Sequence, residues 1–126
     1  MLSSRRMTDE TDYWYILCGR EVVPAASARQ WAEWYDKANR RIGRDEIGVL
    51  VVSTIFLGLD HRFFDDGPPL VFETIIFDDD CGHDLETFRY ATYDQAEAGH
   101  KAACEIARRM IAGADALIAG PRESPA

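Results

Sequence analysis

Two stretches of the chain carry apolar residues at helical spacing, and each begins with a capping pattern. Ser27 is followed three positions later by Gln30, and Thr92 is followed in the same way by Gln95. Apolar residues then recur at intervals of three and four, which is typical of a helix with one buried face. The two predicted helices cover 28–42 and 93–111. Gly99, inside the second, is expected where the helix approaches the sheet or an aromatic ring such as that of Trp31.

Four segments rich in β-branched and aromatic residues predict strands. The strongest signals are 47–57 and 70–77, and weaker ones cover 13–18 and 86–91. Because glycine and proline interrupt the chain between 58 and 69, the two central strands are expected to form an antiparallel hairpin with a long connection. The order β-α-β-β-β-α predicts an α+β fold with a mainly antiparallel sheet of about four strands and two helices packed on one face.

The two central strands are apolar at both alternating sets of positions. One set faces the helices, so the other set is expected to be buried by a second copy of the chain or by a partner. A sheet that needs cover on its second face makes a homodimer one expectation for this protein.

The chain has 126 residues, of which 47% are hydrophobic and 11% aromatic. This length and composition predict one folded domain over 12–112, with flexible ends at 1–11 and 113–126. Met1 and Met7 are both possible translation starts. The longest apolar run is too short to span a bilayer, and the N-terminus lacks the apolar stretch of a signal peptide. We therefore expect a cytoplasmic protein that does not associate with a membrane.

The net charge of −8 is concentrated in one part of the chain. Residues 60–86 contain nine acidic residues and one arginine, so this segment accounts for the whole excess. Such a surface repels phosphate backbones and disfavours direct nucleic-acid binding, whereas it attracts a basic protein partner. Solubility alone is the simpler interpretation of these acids. The predicted contact residues are Asp65, Asp66, Asp78, Asp79 and Asp80, with Phe63, Phe64 and Trp14 as apolar anchors.

The best candidate for a chemical site lies around the 58–69 connection. Glu73 stands inside an otherwise apolar strand, where a carboxylate is costly to bury without a partner. A metal or acid–base site is one interpretation. A structural role is favoured over it, in which Glu73 accepts hydrogen bonds from Ser53, Thr54 or loop amides. The candidate catalytic residues are Asp60, His61, Glu73 and His100.

The three cysteines do not form a recognisable framework. They are odd in number and widely spaced, so neither a disulfide scaffold nor a zinc knuckle is expected. Cys18 and Cys104 sit in apolar patterns and are interpreted as small core residues. Cys81 and His83, beside several aspartates, give a weak signal for a divalent metal. No cofactor is predicted.

Three segments together resemble a known family. They are STIFLGLDH at 53–61, GPPLVFETIIF at 67–77 and RYATYDQAEAGH at 89–100. They are similar to a family of small phage and prophage proteins that have no assigned activity. The resemblance covers roughly residues 13–107, and it implies a phage-type protein that acts in the cytoplasm of a bacterial host.

The leading functional hypothesis is a non-enzymatic accessory protein that binds a host or phage protein. It would act as an anti-defence or regulatory inhibitor, with the acidic loops as the contact. One alternative is a small metal-assisted hydrolase that uses Asp60, His61 and Glu73. The other alternative is a self-assembling homodimeric structural protein, in which a second copy covers the open face of the sheet.

Overall fold

The structure is a computed structural model that describes residues 14–60 and 67–119. It contains six strands and two helices. In chain order they are β1 (Tyr15–Cys18), β2 (Glu21–Pro24), α1 (Ala28–Lys37), β3 (Arg41–Ile47), β4 (Leu50–Phe56), β5 (Phe72–Asp78), β6 (Asp84–Tyr90) and α2 (Tyr93–Ala119).

The last four strands form one antiparallel sheet in the order β3-β4-β5-β6. Helix α2 packs across one face of this sheet and contacts all four strands. Strands β1 and β2 form a separate hairpin, and α1 contacts β1. The predicted α+β class and a four-stranded antiparallel sheet are therefore confirmed, but β2 and β3 were not predicted. Strand β3 holds the place in the sheet expected for the 13–18 strand, which pairs with β2 instead.

Helix α1 is shorter than the predicted 28–42. Its start is as expected, because the Ser27 side chain accepts a hydrogen bond from the Gln30 amide at 3.0 Å. The helix ends at Lys37, and Ala38 is already extended. The Asn39 side chain accepts the Arg41 amide at 3.2 Å, a local turn that competes with helical bonding. The chain then enters β3.

The predicted strand 47–57 is divided by a tight turn. Ile47 pairs with Leu50, which leaves Gly48 and Val49 as a two-residue connection. Gly48 has a φ of +61°, which glycine adopts without strain at this position of a hairpin. The apolar run therefore belongs to two strands, and β4 begins only at Leu50.

Helix α2 extends to Ala119, eight residues beyond the predicted end at 111. Residues 112–118 are exposed, and alanine makes up a large part of this segment, which favours a helix without tertiary contacts. Part of the tail predicted to be flexible from 113 onward is thus helical. Residues 1–13 and 120–126 lie outside the described residues, as does the predicted N-terminal flexible segment.

The core lies between α2 and the sheet. One cluster joins Val52 and Ile76 to small residues of α2 such as Ala103 and Ala107. A second cluster joins Phe56 and Phe72 to the hairpin and α1. Small residues let α2 approach closely: a Cβ at Gly99 would lie 2.2 Å from the Tyr90 ring. Gly99 therefore marks a close approach as predicted, but to Tyr90 rather than Trp31.

Candidate functional site

A chain of hydrogen-bonded polar groups runs through the core between α2 and the sheet. Thr54 and Thr74 face each other on β4 and β5, both 0% exposed, and their hydroxyls are hydrogen-bonded. The Tyr90 hydroxyl on β6 donates to Thr74 Oγ1 at 3.1 Å. On the other side, Thr54 Oγ1 lies 2.7 Å from Nδ1 of His100. Polar side chains in this position are tolerated because each has a partner.

This series of hydrogen bonds ends at the edge strand β3, in a small cluster of Asp45, His100 and Cys104. His100 Nε2 lies 2.7 Å from Asp45 Oδ2, and the Cys104 thiol donates to the same oxygen at 3.6 Å. Gly43 makes room for the imidazole, because a Cβ at that position would lie 2.9 Å from the ring. The ring therefore packs directly against the backbone of β3.

Strand register and helix periodicity explain why these side chains meet. Gly43 pairs with Thr54 and Asp45 pairs with Val52, so both β3 residues point toward α2. His100 and Cys104 are four residues apart on α2 and therefore lie on one face of the helix. The cluster lines a groove of about 470 Å³ that opens to solvent, together with Lys101, Ala102, Glu105 and Arg108.

The protonation states follow from these contacts. The hydrogen bond from His100 lowers the pKa of Asp45, which stays a carboxylate at neutral pH. Burial raises the pKa of the Cys104 thiol, and the Asp45 carboxylate raises it further. Burial also raises the pKa of Tyr90. The His100 tautomer with its proton on Nε2 donates to Asp45 and accepts from Thr54, and each hydroxyl of this hydrogen-bonded series then has an acceptor.

The cluster has the composition of a metal-binding site, and the neighbouring Thr54 is not placed to act as a nucleophile. Thr54 is fully buried, so its hydroxyl cannot meet a substrate. In contrast, Asp45, His100 and Cys104 offer an oxygen, a nitrogen and a sulfur atom that all lie within 4.8 Å of one another. Within residues 14–60 and 67–119, this is the one group of three or more potential ligands with such spacing.

The predicted catalytic residues do not come together. Glu73 points to the face of the sheet opposite α2, because its neighbour Thr74 points toward His100. The Glu73 carboxylate lies 3.0 Å from Arg89 Nε, whereas hydrogen bonds to Ser53, Thr54 or loop amides were predicted. Asp60 is buried and accepts the Leu70 amide at 3.3 Å, which joins the two ends of the 58–69 connection. His61 lies outside the described residues.

The predicted contact residues are placed in part. Asp79 and Asp80 are exposed in the turn between β5 and β6, and Asp78 is half-buried at its start. The 57–71 connection joins the other end of β5, so the two acidic segments leave the strand at opposite ends. Trp14 is half-buried and packs against Trp31, with 4.5 Å between ring centroids. Phe63, Phe64, Asp65 and Asp66 lie outside the described residues.

The structure also shows where the remaining predicted metal ligands and the cysteines lie. Cys81 and His83 are both exposed in the β5–β6 turn. Cys104 is buried as predicted, but Cys18 is exposed at the end of β1, so its assignment to the core was wrong. Cys18 is exposed because it lies at the end of a two-stranded hairpin.

A larger pocket of about 700 Å³ lies between the β1–β2 hairpin and the start of α2. Its main charged group, Arg20, is bound by Asp94 and Glu97 and lies over the Tyr93 ring, 4.1 Å from the centroid. Because both carboxylates already neutralise the guanidinium, this pocket is less suited to an anionic ligand than its arginine suggests.

The face of the sheet away from α2, here called the outer face, carries three rows of four residues. The basic row, named for the arginines at its two ends, is Arg41, Ile55, Glu73 and Arg89. The middle row is Arg44, Ser53, Ile75 and Thr87. The acidic row, named for the acids at its two ends, is Glu46, Val51, Phe77 and Asp84. Helix α2 packs on the opposite side, and the hairpin and α1 join that same core through Tyr15 and Trp34. No described helix or strand is left to cover the outer face.

No protein-family model, curated protein sequence or solved structure matches this chain. Among the described residues, no helix is long and apolar enough to cross a membrane. Function therefore has to be inferred from the geometry of the chain's own side chains.

Proposed function

We propose that this protein acts by binding another protein through the outer face of its sheet, and that a second copy of the chain occupies that face. The observation that carries the proposal is the pattern of charge on an otherwise apolar surface. The centre of the face is apolar: Ile55, Ile75 and Phe77 are half-buried there, whereas Val51, at 2% exposed, is already covered and offers almost no surface to a second copy. Two sheets commonly pack face to face over such a layer.

The charges select one arrangement of the two copies. A two-fold axis that crosses the strands through the middle row places the basic row of one copy over the acidic row of the other. Arg41 then faces Glu46 of the second copy, and Arg89 faces Asp84. A two-fold axis parallel to the strands would instead place Arg41 over Arg89 and Glu46 over Asp84, so like charges would meet.

The size of the face predicts a weak dimer. Four strands about 4.8 Å apart and seven residues rising about 3.4 Å each give a face of roughly 450 Å² per copy. This lies at the low end for specific interfaces, where association is transient. Arg44 would meet its own symmetry mate at the axis, but each Arg44 is already paired with Glu46 at 2.9 Å.

The accessory-protein hypothesis is compatible with this dimer. An accessory protein of phage type in the cytoplasm of a bacterial host would bind a host or phage protein as a dimer. Asp79 and Asp80 lie in the turn beside the acidic row and are exposed, so they remain free for a basic partner. The hydrolase alternative finds less support, because Glu73 and His100 lie on opposite faces of the sheet.

Sedimentation velocity over about 1 μM to about 1 mM tests the proposal, since Kd values of weak dimers fall in this range. Wild type should shift from monomer to dimer as concentration rises. Ile75→Lys should remain monomeric, because two lysines would meet at the axis. Leu117→Lys is the matched control, since Leu117 is 83% exposed near the end of α2; it should dimerise like wild type.

Two outcomes would contradict the proposal. A wild type that stays monomeric at every concentration excludes the second copy as the occupant. A folded Ile75→Lys variant that dimerises as well as wild type places the contact on another surface. Far-ultraviolet circular dichroism and a cooperative thermal transition establish that each variant is folded.

A further inference from the structure

A second site lies in the groove between α2 and β3, on the opposite side of the sheet from the outer face. We infer that Asp45, His100 and Cys104 bind one transition-metal ion of the zinc class and leave a fourth position open to solvent. The inference does not depend on dimer formation, because none of these residues belongs to the outer face.

The donor atoms indicate the class of metal. Imidazole nitrogen, thiolate sulfur and carboxylate oxygen are the three ligand types that Zn²⁺ accepts together, whereas Mg²⁺ and Ca²⁺ require oxygen ligands. Structural zinc sites have four protein ligands, while sites with three keep one position for water or another ligand. The described part of the chain provides three.

The distances require only a small change for metal binding. Ligand atoms bonded to a tetrahedral zinc ion at ~2.0–2.3 Å lie roughly 3.3–3.6 Å apart. Asp45 Oδ2 and Cys104 Sγ are already 3.6 Å apart. Asp45 Oδ2 and His100 Nε2 are 2.7 Å apart and would separate by roughly 0.6 Å. The Asp45 side chain is 55% exposed, so it can make this movement. His100 Nε2 and Cys104 Sγ lie within 4.8 Å of each other and would approach by at most about 1.3 Å.

The surroundings of His100 fix its ring in the orientation that a metal ligand needs. Thr54 Oγ1 is 2.7 Å from Nδ1 and can accept its proton, which leaves the Nε2 lone pair for the ion. The Thr54 hydroxyl then donates to Thr74, since a hydroxyl can donate and accept at once. Gly43 holds the other side of the ring, because a side chain there would collide with it.

The groove gives an ion a path from solvent and determines what the fourth ligand can be. It has a volume of about 470 Å³. Lys101 and Arg108 line it, and Arg108 is paired with Glu105 at 2.8 Å. Because Glu105 offsets Arg108, the rim has an excess of one positive charge, from Lys101, which favours water or a small anion at the fourth position over a second cation.

Titration of the chelator-treated, full-length protein with Co²⁺ tests the inference, since cobalt replaces zinc and has a visible spectrum. One ion per chain should bind, with a thiolate-to-cobalt charge-transfer band in the near ultraviolet and intense visible bands of four-coordinate cobalt. Zn²⁺ should abolish both. Cys104→Ala should remove the charge-transfer band, and Asp45→Asn should weaken binding.

The exposed residues Cys81 and His83 supply the matched control, because they are the other cysteine and histidine close in sequence. Cys81→Ala with His83→Asn should leave the spectrum and stoichiometry unchanged. Thr54→Val, which removes only the hydroxyl beside Nδ1, should weaken cobalt binding about 10- to 100-fold. If the Asp45–His100 pair had no role in metal binding, Thr54→Val would not change the affinity for cobalt.

Three results would overturn the inference. They are the absence of a charge-transfer band in wild type, persistence of that band in Cys104→Ala, and loss of the band in the Cys81 and His83 variant. The last would show adventitious binding at the β5–β6 turn. Thermal unfolding of each metal-free variant verifies that the loss of a spectrum is not loss of the fold.

Discussion

The two faces of the four-stranded sheet are made from alternate residues of the same strands, yet they carry different chemistry. Toward α2, Val52, Phe56 and Ile76 are fully buried, and the polar Thr54 and Thr74 are hydrogen-bonded to each other. Away from α2, apolar residues lie toward the centre of the sheet, with arginines at the ends of one row and acidic residues at the ends of another. The first face stabilises the fold, whereas the second is the face that we propose for binding a second copy.

This difference arises because strand neighbours point in opposite directions. A substitution at one position acts on the core, and the same substitution one residue away acts on the outer face. Adjacent residues of β4 and β5 therefore give matched pairs that separate the two roles, and the measured difference within each pair tests the comparison.

Ile76 and Ile75 should give the largest difference in stability. Ile76→Ala removes a fully buried side chain and leaves a cavity, which should lower the free energy of unfolding by about 2–5 kcal/mol. Ile75→Ala affects a half-buried side chain of the outer face and should cost less than about 1.5 kcal/mol in the monomer. Urea denaturation at low protein concentration measures both. Equal costs would mean that the outer face is covered as completely as the core.

Gly99 and Gly113 compare a packed and an open position on α2. Gly99→Ala should destabilise the protein by about 2 kcal/mol, because its Cβ would lie 2.2 Å from the Tyr90 ring. Gly113→Ala should stabilise it by about 0.5–1 kcal/mol, since nothing lies near the new methyl group and alanine favours a helix. Thermal unfolding gives the sign of each change. A stabilising Gly99→Ala would show that α2 does not approach β6 this closely.

Thr54 and Ser53 test the buried polar chain. Thr54→Val leaves His100 and Thr74 without the shared hydroxyl and should cost about 1–2 kcal/mol. Ser53→Ala removes a hydroxyl from the outer face and should change stability by less than about 0.5 kcal/mol. If the dependence of the unfolding free energy on urea concentration is unchanged, the shifts of the urea midpoints give the two losses of stability. A Thr54→Val variant as stable as wild type would contradict the buried series of hydrogen bonds.

The smallest effect is expected at the rim of the core, where Arg20 of the hairpin binds Glu97 of α2. The hydrogen bond from Arg20 lowers the pKa of Glu97. Stability from this pair is therefore present above the pKa of an unfolded glutamate and is lost as pH falls through the lower pKa of the folded state. Glu97→Gln should be slightly less stable than wild type at pH 7 and equal to it in acid.

Exposed Glu33 on α1 provides the control for this pH dependence. The stability difference between Glu33→Gln and wild type should not change in the same way between neutral and acid pH. If the Glu97→Gln difference were the same at both pH values, the ion pair would not link the hairpin to α2.

Much of the fold follows from local sequence patterns. The capping residues Ser27 and Thr92 each accept the amide three residues ahead, as predicted. The β4–β5 pairing was predicted from two apolar segments around a glycine- and proline-rich connection, and its register places Ile55 opposite Glu73. These features depend on residues close in sequence or on long apolar runs, which is why they can be predicted without coordinates.

Of the three residues in the candidate site, only His100 was predicted as a site residue, because Cys104 fits a core pattern and Asp45 lies on β3. Residues Arg41–Ile47 are mostly charged and contain a glycine, so intrinsic propensity gives no strand signal. The segment becomes a strand by pairing with β4 across the turn at Gly48. Without that strand, the sequence does not show that Asp45 lies beside His100 and Cys104, whereas Glu73 stands out as a carboxylate in an apolar strand.

Complementary charge reversal tests self-recognition by the outer face. One variant carries Arg41→Glu and Arg89→Glu, and the other carries Glu46→Lys and Asp84→Lys. Each alone should sediment as a monomer, because like charges would meet across the axis. Their equimolar mixture should form a heterodimer at concentrations where wild type dimerises, whereas a mixture that stays monomeric would contradict the proposed pairing of the basic and acidic rows.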